Sequence, residues 1–277
     1  MQRPCNILSI GLAVWCLFLA SASPVRAHED NPNVPMLITN IMTRMSCVQT
    51  QGFRGKYSFT RVKATEELNS KGSVKEKDEK VFAVFPINGR PFSKLVQADG
   101  KPLPDKERRK EEEREAATRQ QLAAVKAQPY VGKKEMPLTL EILSRFNFKV
   151  EGRDTMNGRP VWVLTFKPRG DELPESKLQD RVVNKMGGKV WIDVEEFEIV
   201  KADVHLLENV SLVGGVVGTL RKLDYVLERK RVDDGVWFTA KSEADIEGRE
   251  VVLSRHVRLR EECTDFKKVG TTLADGQ

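Results

Sequence analysis

Residues 188–202 read GKVWIDVEEFEIVKA, two short apolar runs on either side of an acidic connection. Residues 190–192 and 199–200 are β-branched or aromatic, which favours strands. Asp193 begins the connection, where an aspartate is typical of a turn. A connection this short joins antiparallel strands, so the stretch predicts a β-hairpin. Much of the chain repeats this pattern.

Period-two alternation predicts further strands along most of the chain. Asn157-Gly158 lies between two of them and is a strong hairpin signal. The strands follow one another through short turns and do not alternate with helices, which indicates antiparallel pairing. The predicted fold class is therefore α+β and mainly antiparallel β. Besides the hairpin, the predicted strands begin at Phe53 and cover 79–85, 92–96, 148–152, 160–167, 210–227, 236–246 and 250–262.

Apolar side chains at helical spacing predict three helices, at residues 34–51, 137–146 and 174–186. A fourth helix is predicted within a charged insertion at 99–127. Its residues 106–115 read KERRKEEERE, which leaves charge on nearly every face. We interpret it as a solvated helical excursion. The alternative is that the helix at 105–127 is a docking arm for a partner.

Residues 1–27 are predicted to be a signal peptide. Arg3 precedes an apolar run at residues 7–20, which is shorter than a membrane-spanning helix of about 20 residues. Val25 and Ala27 suit cleavage after Ala27, and Ala22 is the alternative site. An uncleaved N-terminal anchor is the other interpretation of this segment.

The mature chain, residues 28–277, is predicted to be a single extracytoplasmic domain with a flexible tail at 268–277. The whole chain has a net charge of +6, and the predicted leader holds two arginines and no acid, so the mature charge is 6 − 2 = +4. That charge is too mild to indicate a nucleic-acid partner. Hydrophobic residues make up 40% of the chain, which is enough for a substantial core.

Two cysteines, Cys47 and Cys263, lie in the predicted mature chain. In an oxidising compartment an even pair indicates a disulfide. A bridge between such distant positions stabilises a fold by about 5 kcal/mol in the chain-entropy model. Two separate thiols are the alternative.

We find no motif in the sequence that indicates catalysis, a metal site or a cofactor. His205 and His256 fall in predicted strands, where a lone histidine is more often a packing residue than a ligand. The stretch GGVVG at 214–218 lacks the spacing of phosphate-binding and dinucleotide-binding loops. We therefore predict a protein that is not an enzyme and has no cofactor. A hydrolase that uses a carboxylate or His205 stays open as another hypothesis.

Several predicted strands are apolar at successive positions, for example 161–164, 190–192 and 236–238, as is much of 210–217. An antiparallel strand with one wet face should alternate, so these strands need cover on both faces. A solid core under helices would supply that cover. An apolar ligand cavity inside a curved sheet is the alternative.

Short motifs along residues 34–267 carry a resemblance to a known family. The best is KVWID at 189–193, followed by EIVKA at 198–202, and YSFTR at 57–61 ends an early strand. Further motifs are FP at 85–86, GRPF at 89–92, KLV at 94–96, DGKPL at 99–103, GRP at 158–160 and GVWF at 235–238. With these motifs the chain resembles the LolA/LolB-like superfamily of periplasmic lipoprotein carriers, and more narrowly a subgroup of secreted bacterial proteins similar to outer-membrane lipoprotein-sorting domains.

The resemblance implies a curved antiparallel half-barrel, covered by a few helices over an apolar cavity that holds acyl chains, and a periplasmic location. We expect a non-catalytic carrier for lipid or lipoprotein acyl chains. The alternative is a structural or interaction module of the cell envelope with a solid core, which binds a protein partner through the helix at 105–127. The expected lining residues of the carrier are Phe59, Phe85, Trp162, Leu164, Trp191 and Trp237.

Overall fold

The computed structural model describes residues 32–125, 139–170, 173–175, 177–212, 218–250 and 253–270. The predicted signal peptide and residues 271–277 of the predicted tail lie outside these ranges. Lys268, where the predicted tail begins, is still the last residue of a strand. Within the described ranges, none of the helices combines the length and the apolar character needed to span a membrane.

The described strands form one antiparallel sheet. Their order is β4-β3-β2-β1-β12-β11-β10-β8-β7-β6-β5, and β9 pairs with β10 beside this path. The two ends of the path do not meet, so the sheet is a curved, unclosed half-barrel, as predicted. The strands are β1 Tyr57–Leu68, β2 Val74–Ile87, β3 Arg90–Ala98, β4 Lys101–Pro102, β5 Phe146–Met156, β6 Arg159–Pro168, β7 Met186–Asp193, β8 Ile199–Leu206, β9 Val210–Leu212, β10 Gly218–Asp233, β11 Val236–Glu250 and β12 Leu253–Lys268.

The predicted hairpin at 188–202 is confirmed as β7 and β8. The Asn157-Gly158 turn joins β5 and β6, and both of its residues have positive φ, 50° and 76°. β5 is an outer edge of the sheet and contains a bulge between Val150 and Gly152, where the glycine has a φ of 141°.

The helices are α1 Val34–Gln51, α2 Asp105–Ala123, α3 Leu140–Leu143 and α4 Leu178–Val183, with a 3-10 turn at Phe53–Lys56. α1 has the predicted bounds. Asn33 caps its start by accepting a hydrogen bond from the Met36 amide at 3.0 Å, and Gly52 ends it with a left-handed φ of 61°. α4 is shorter than the predicted helix because Met186 pairs with Leu206 as the first residue of β7.

Directly paired residues on neighbouring strands point to the same face of a sheet. The strand register therefore shows which residues of different strands share a face. We call the face on which α1 packs the α1 face. Leu37 and Ile41 of α1 are buried there against Trp162, Leu164 and Ile192. This cluster is the main core.

We call the opposite face the α2 face, because α2 lies on it at the end of the sheet formed by β2 and β3. Glu115 of α2 lies 2.8 Å from Lys94, and the Arg114 guanidinium lies 4.3 Å from the ring centre of Phe92. Ser93 lies on the α1 face, because it pairs with Val84, which in turn pairs with Phe59. Phe92 and Lys94 are its neighbours in β3 and therefore point to the opposite face.

Residues 161–164 are buried at all four positions, as their apolar run predicts. Trp162 and Leu164 face α1. Val163 faces the other way and pairs directly with Trp191, whose ring centre lies 5.8 Å from the Lys189 ammonium and 5.4 Å from that of Lys201. On the α2 face Val163 is therefore covered by the Trp191 ring and the aliphatic parts of the two lysine side chains.

Cys47 lies exposed on α1, whereas Cys263 is buried on β12. Both are thiols in the structure. The bridge between them stays a prediction.

The packing of α1 predicts a contrast between two leucines. Leu164→Ala should lower the free energy of unfolding by about 2–5 kcal/mol, because a side chain only 1% exposed leaves a cavity. Leu259→Ala should change it by less than about 1 kcal/mol, because Leu259 is 41% exposed. Urea unfolding curves of the two variants test this, and equal losses would contradict the assignment of the core.

Candidate functional site

The α1 face continues beyond the main core as an apolar surface. Val204, Tyr225, Ala244 and Leu259 are directly paired in succession across β8, β10, β11 and β12. Leu223, Ile246 and Val257 form the next row. These seven residues are the open apolar patch: Val204, Leu223, Tyr225, Ala244, Ile246, Val257 and Leu259.

The patch is less covered than the core. Tyr225 is 36% and Leu259 41% exposed, and the other patch residues are half-buried. The main core under α1 contains none of the seven patch residues. α1 therefore covers the sheet over Trp162 and Leu164 but leaves the β10–β12 part of the same face accessible. An apolar sheet face normally needs a covering layer, so this one is suited to a ligand.

Strict alternation in β11 and β12 explains why this face is apolar. Ala244 and Ile246 alternate with Glu243 and Asp245 in β11. In β12 the sequence VRLR at 257–260 alternates in the same way. Every second side chain is therefore charged and lies on the α2 face.

The charges on the α2 face form a network around two acids, Glu66, which is buried, and Asp245, which is half-buried. Glu66 lies 3.1 Å from Arg260 and 3.5 Å from Arg258. Asp245 lies 2.6 Å from His256 and 3.3 Å from Lys222. Burial raises the pKa of Asp245, but its hydrogen bonds to His256, Lys222 and Arg258 outweigh this and hold the pKa below its usual range.

On the α1 face the patch ends at β1, where polar residues begin. Leu259 pairs directly with Thr65, and the neighbouring pair is Glu261 with Lys63, whose charged groups lie 3.1 Å apart. Glu67 pairs with Val257. The apolar surface thus has a polar rim on one side and the α1 core on the other.

The predicted lining residues are divided between the two faces. Phe59, Trp162 and Leu164 lie on the α1 face, as a shared lining requires. Trp162 and Leu164, however, are packed under α1. Phe59 packs 5.6 Å from Phe238 and 5.4 Å from Phe266, measured between ring centres.

The other three predicted residues lie elsewhere. Trp191 is on the α2 face opposite Trp162, because it pairs with Val163. Phe85 is on the α2 face beside Phe92, with ring centres 5.6 Å apart. The indole nitrogen of Trp237 donates to Glu196 at 2.5 Å in the turn after β7. The structure therefore does not bring the six together into one lining.

The sequence interpretation missed the patch residues themselves. They could have been predicted from the alternation of apolar and charged residues at 243–246 and 257–260. This alternation shows that two neighbouring strands each have one apolar and one charged face. The predicted lining instead favoured large aromatic residues, which the structure distributes over the main core, both faces of the sheet and a turn.

Arg44, in the C-terminal half of α1, attaches the helix to the sheet near the turn between β7 and β8. Arg44 donates to Glu198 at 3.4 Å and to the carbonyl oxygen of Gly235 at 2.5 Å. Glu198 is 4% exposed and also accepts a hydrogen bond from Arg229. These bonds tie the helix to two turns of the sheet.

Asp193 organises the same turn and is fully buried. Arg159 donates to its two oxygens at 2.6 and 2.9 Å, and the amides of Glu195 and Glu196 donate at 3.0 and 2.8 Å. Burial alone would raise the pKa of Asp193. The hydrogen bonds from Arg159 and the two amides overcome that effect and lower the pKa.

Histidine, cysteine and carboxylate side chains are the residue types that could form a metal site. Among the described residues we find no group of three or more such side chains placed to hold a metal ion. His205, the residue of the hydrolase hypothesis, pairs directly with Asp224 on the sheet. His256 is part of the charge network on the α2 face.

Comparison with known proteins gave structural matches only. No family model and no curated protein matches the chain. An outer membrane lipoprotein-sorting protein domain from Vibrio parahaemolyticus is similar to it at 12% identity and a TM-score of 0.34, over 86% of this chain and 95% of that one.

Two further structures are similar at lower scores. A LolA superfamily protein from Nitrosomonas europaea matches at 10% identity and a TM-score of 0.29, over 84% of this chain and 93% of that one. A chain of the Pseudomonas aeruginosa MucA/MucB complex matches at 10% identity and a TM-score of 0.23, over 84% of this chain and 100% of that one.

The pairing of Asp193 with Arg159 predicts a specific pH dependence. Because the folded pKa of Asp193 is lowered, its contribution to stability is present above the unfolded pKa of about 3.9 and is lost as the pH falls below it. Arg159→Gln leaves a buried, poorly paired carboxylate and should cost about 3–5 kcal/mol at pH 7.

In Arg159→Gln burial should instead raise the pKa of Asp193, so the variant loses stability as the pH rises above about 4. The difference from wild type should therefore shrink on acidification from pH 7 to 4, as measured by urea unfolding. Arg108→Gln, at an arginine whose side chain is 58% exposed, is the matched control and should show no such trend. A constant difference would rule out this role of Arg159.

Proposed function

We propose that this protein is a non-catalytic extracytoplasmic carrier that binds an apolar ligand, an acyl chain of a lipid or lipoprotein, on the open apolar patch. The observation that carries the proposal is the uncovered part of the α1 face, where rows of apolar side chains cross β8 and β10–β12. The predicted signal peptide and a periplasmic location belong to the same proposal.

The shape of the patch suits an extended chain. The row from Val204 to Leu259 crosses four adjacent strands, a distance of about 14 Å at the usual strand spacing. Burying a methylene stabilises a complex by about 0.8 kcal/mol. A long acyl chain along the row can therefore bind without hydrogen bonds, and its release needs no chemical step.

Only part of the α1 face is covered by α1, and this supports binding and release of an acyl chain on the open part. α1 is anchored on the neighbouring part of the face by Arg44 and the Trp162 core, so it forms one wall beside the patch. The polar residues of β1 form the opposite rim. A ligand headgroup can remain in water at that rim while the chain is covered.

A second candidate function is an interaction module of the cell envelope. The observation that favours it is α2, a helix of 19 residues of which none is buried. Such a helix contributes little to the core and presents most of its charges to solvent. Two observations together would distinguish this function from the carrier function. A protein partner would bind through residues 105–127, and the open apolar patch would take up no lipid.

The carrier function predicts that a charge in the patch abolishes lipid uptake. Leu259→Glu should weaken binding of a dansyl-labelled fatty acid to residues 28–277 at least tenfold, because a carboxylate in the patch opposes burial of the acyl chain. The dissociation constant is measured by fluorescence titration, and the stoichiometry by native mass spectrometry.

The control for this variant is Val96→Glu, at a residue with nearly the same exposure, 40%, on β3, three strands away from β12. It should leave the affinity unchanged. Circular dichroism confirms that both variants fold. Failure of the wild-type protein to take up any fatty acid, or equal losses in the two variants, would refute the carrier function.

A further inference from the structure

The outer edge of β3 is bonded to side chains rather than to another strand. The amide of Leu95 donates to a carboxylate oxygen of Glu111 at 2.9 Å, and Arg114 donates to the carbonyl oxygen of Ser93. Both partners belong to α2. β4 pairs only with Gln97 and Ala98, farther along the strand. Two charged side chains thus occupy the backbone positions where a neighbouring strand would bind.

α2 is attached to the sheet by these polar contacts and by two arginines over aromatic rings. Lys94 donates to Glu115 at 2.8 Å. The guanidinium of Arg114 lies 4.3 Å from the ring centre of Phe92, and that of Arg119 lies 5.7 Å from that of Phe85.

At the end of the helix the Asn88 side chain donates to the carbonyl oxygens of Leu122 and Val125 at 2.8 and 2.7 Å. Since no residue of α2 is buried, moving the helix away from β3 exposes no core of its own. It exchanges surface bonds for bonds to water and uncovers the ring of Phe92, which is 7% exposed. This costs less than unpacking a helix that has an apolar face of its own.

We propose that the β3 edge, residues 92–96, is a docking site for an extended segment of a partner polypeptide, and that α2 covers this site in the isolated chain. An extended backbone offers the same two groups that α2 now supplies, an acceptor for the Leu95 amide and a donor for the Ser93 carbonyl. Addition of a strand to an exposed sheet edge is a recurrent mode of peptide recognition.

The side chains beside the edge specify the segment. Lys94 and Phe92 lie on the α2 face, where alternate residues of an added strand would contact them. Glu115 now provides the negative charge beside Lys94. The partner should therefore have an acidic residue beside Lys94 and, two positions away, an apolar residue beside Phe92.

The length of the site is limited at both ends. Pro91 has no amide hydrogen, and β4 already pairs with Gln97. The fitting partner is thus a short segment. This inference is independent of the apolar patch, which lies on the other face of the sheet.

The test uses the mature chain and a fluorescein-labelled peptide of alternating Thr and Val that carries one Glu and, two positions away, one Phe. Glu111→Ala/Arg114→Ala removes the two side chains that cover the edge and should bind this peptide at least tenfold more tightly than wild type. Arg109→Ala/Glu113→Ala removes one charge of each sign from exposed positions of the same helix and should bind like wild type. Fluorescence anisotropy gives the dissociation constants.

Two further measurements decide whether the backbone is the binding group. A peptide with N-methylated alternate amides should lose the gain, as should one with Lys in place of Glu. In the uncovered variant the Leu95 amide should exchange with solvent faster than in wild type and become protected again when the peptide binds.

Equal affinities of the two double variants, or equal binding of the N-methylated peptide, would overturn the proposal. Self-association of the uncovered variant without peptide binding, measured by sedimentation, would also overturn it, because the edge would then belong to a second copy. Glu111→Ala alone is the substitute if the double variant does not fold, and it should give a smaller gain of the same sign.

Discussion

The pairing of β1 with β12 joins the two halves of the sheet. β1 contacts β12 from Tyr57↔Lys268 to Leu68↔His256, so strands near the two ends of the chain lie side by side in the middle of the sheet. On one side of this pair lie β2, β3 and β4, and on the other lie all strands from β5 to β11. Without it the apolar patch would lose its β1 rim, and the β3 edge with its covering helix would belong to a separate piece of four strands, β1 to β4. Such a distant contact also costs loop-closure entropy, which favours slow folding.

Local signals were sufficient to predict most of the elements and the hairpins between neighbouring strands, although the predicted strand at 210–227 corresponds to β9 and part of β10, and α3 and α4 are shorter than predicted. The hairpin at 188–202, the Asn157-Gly158 turn and the bounds of α1 follow from turn residues, caps and periodicity. The long-range pairing of β1 with β12 has no such signal. It was not predicted from the sequence and is a finding of the structure.

The position of each side chain on the sheet was harder to predict than the strand that carries it. Trp162 and Trp191 both lie in apolar strands, yet they point to opposite faces because Trp191 is paired with Val163. Bulges such as the one between Glu228 and Arg229 shift the register by one residue, and alternation cannot be followed through them from sequence. For α2, the sequence shows the charges but not that Glu111 is bonded to a backbone amide.

An unclosed sheet has two edges, and the edge formed by β5 is protected in a different way from that of β3. Lys149, Glu151 and Arg153 of β5 are exposed and charged, and the bulge at Gly152 interrupts the regular spacing of the outer backbone groups. Charged side chains and bulges on an edge strand oppose the stacking of like chains into cross-β aggregates. Substitutions that make β5 regular and uncharged should therefore endanger the solubility of the protein at high concentration before they affect its fold.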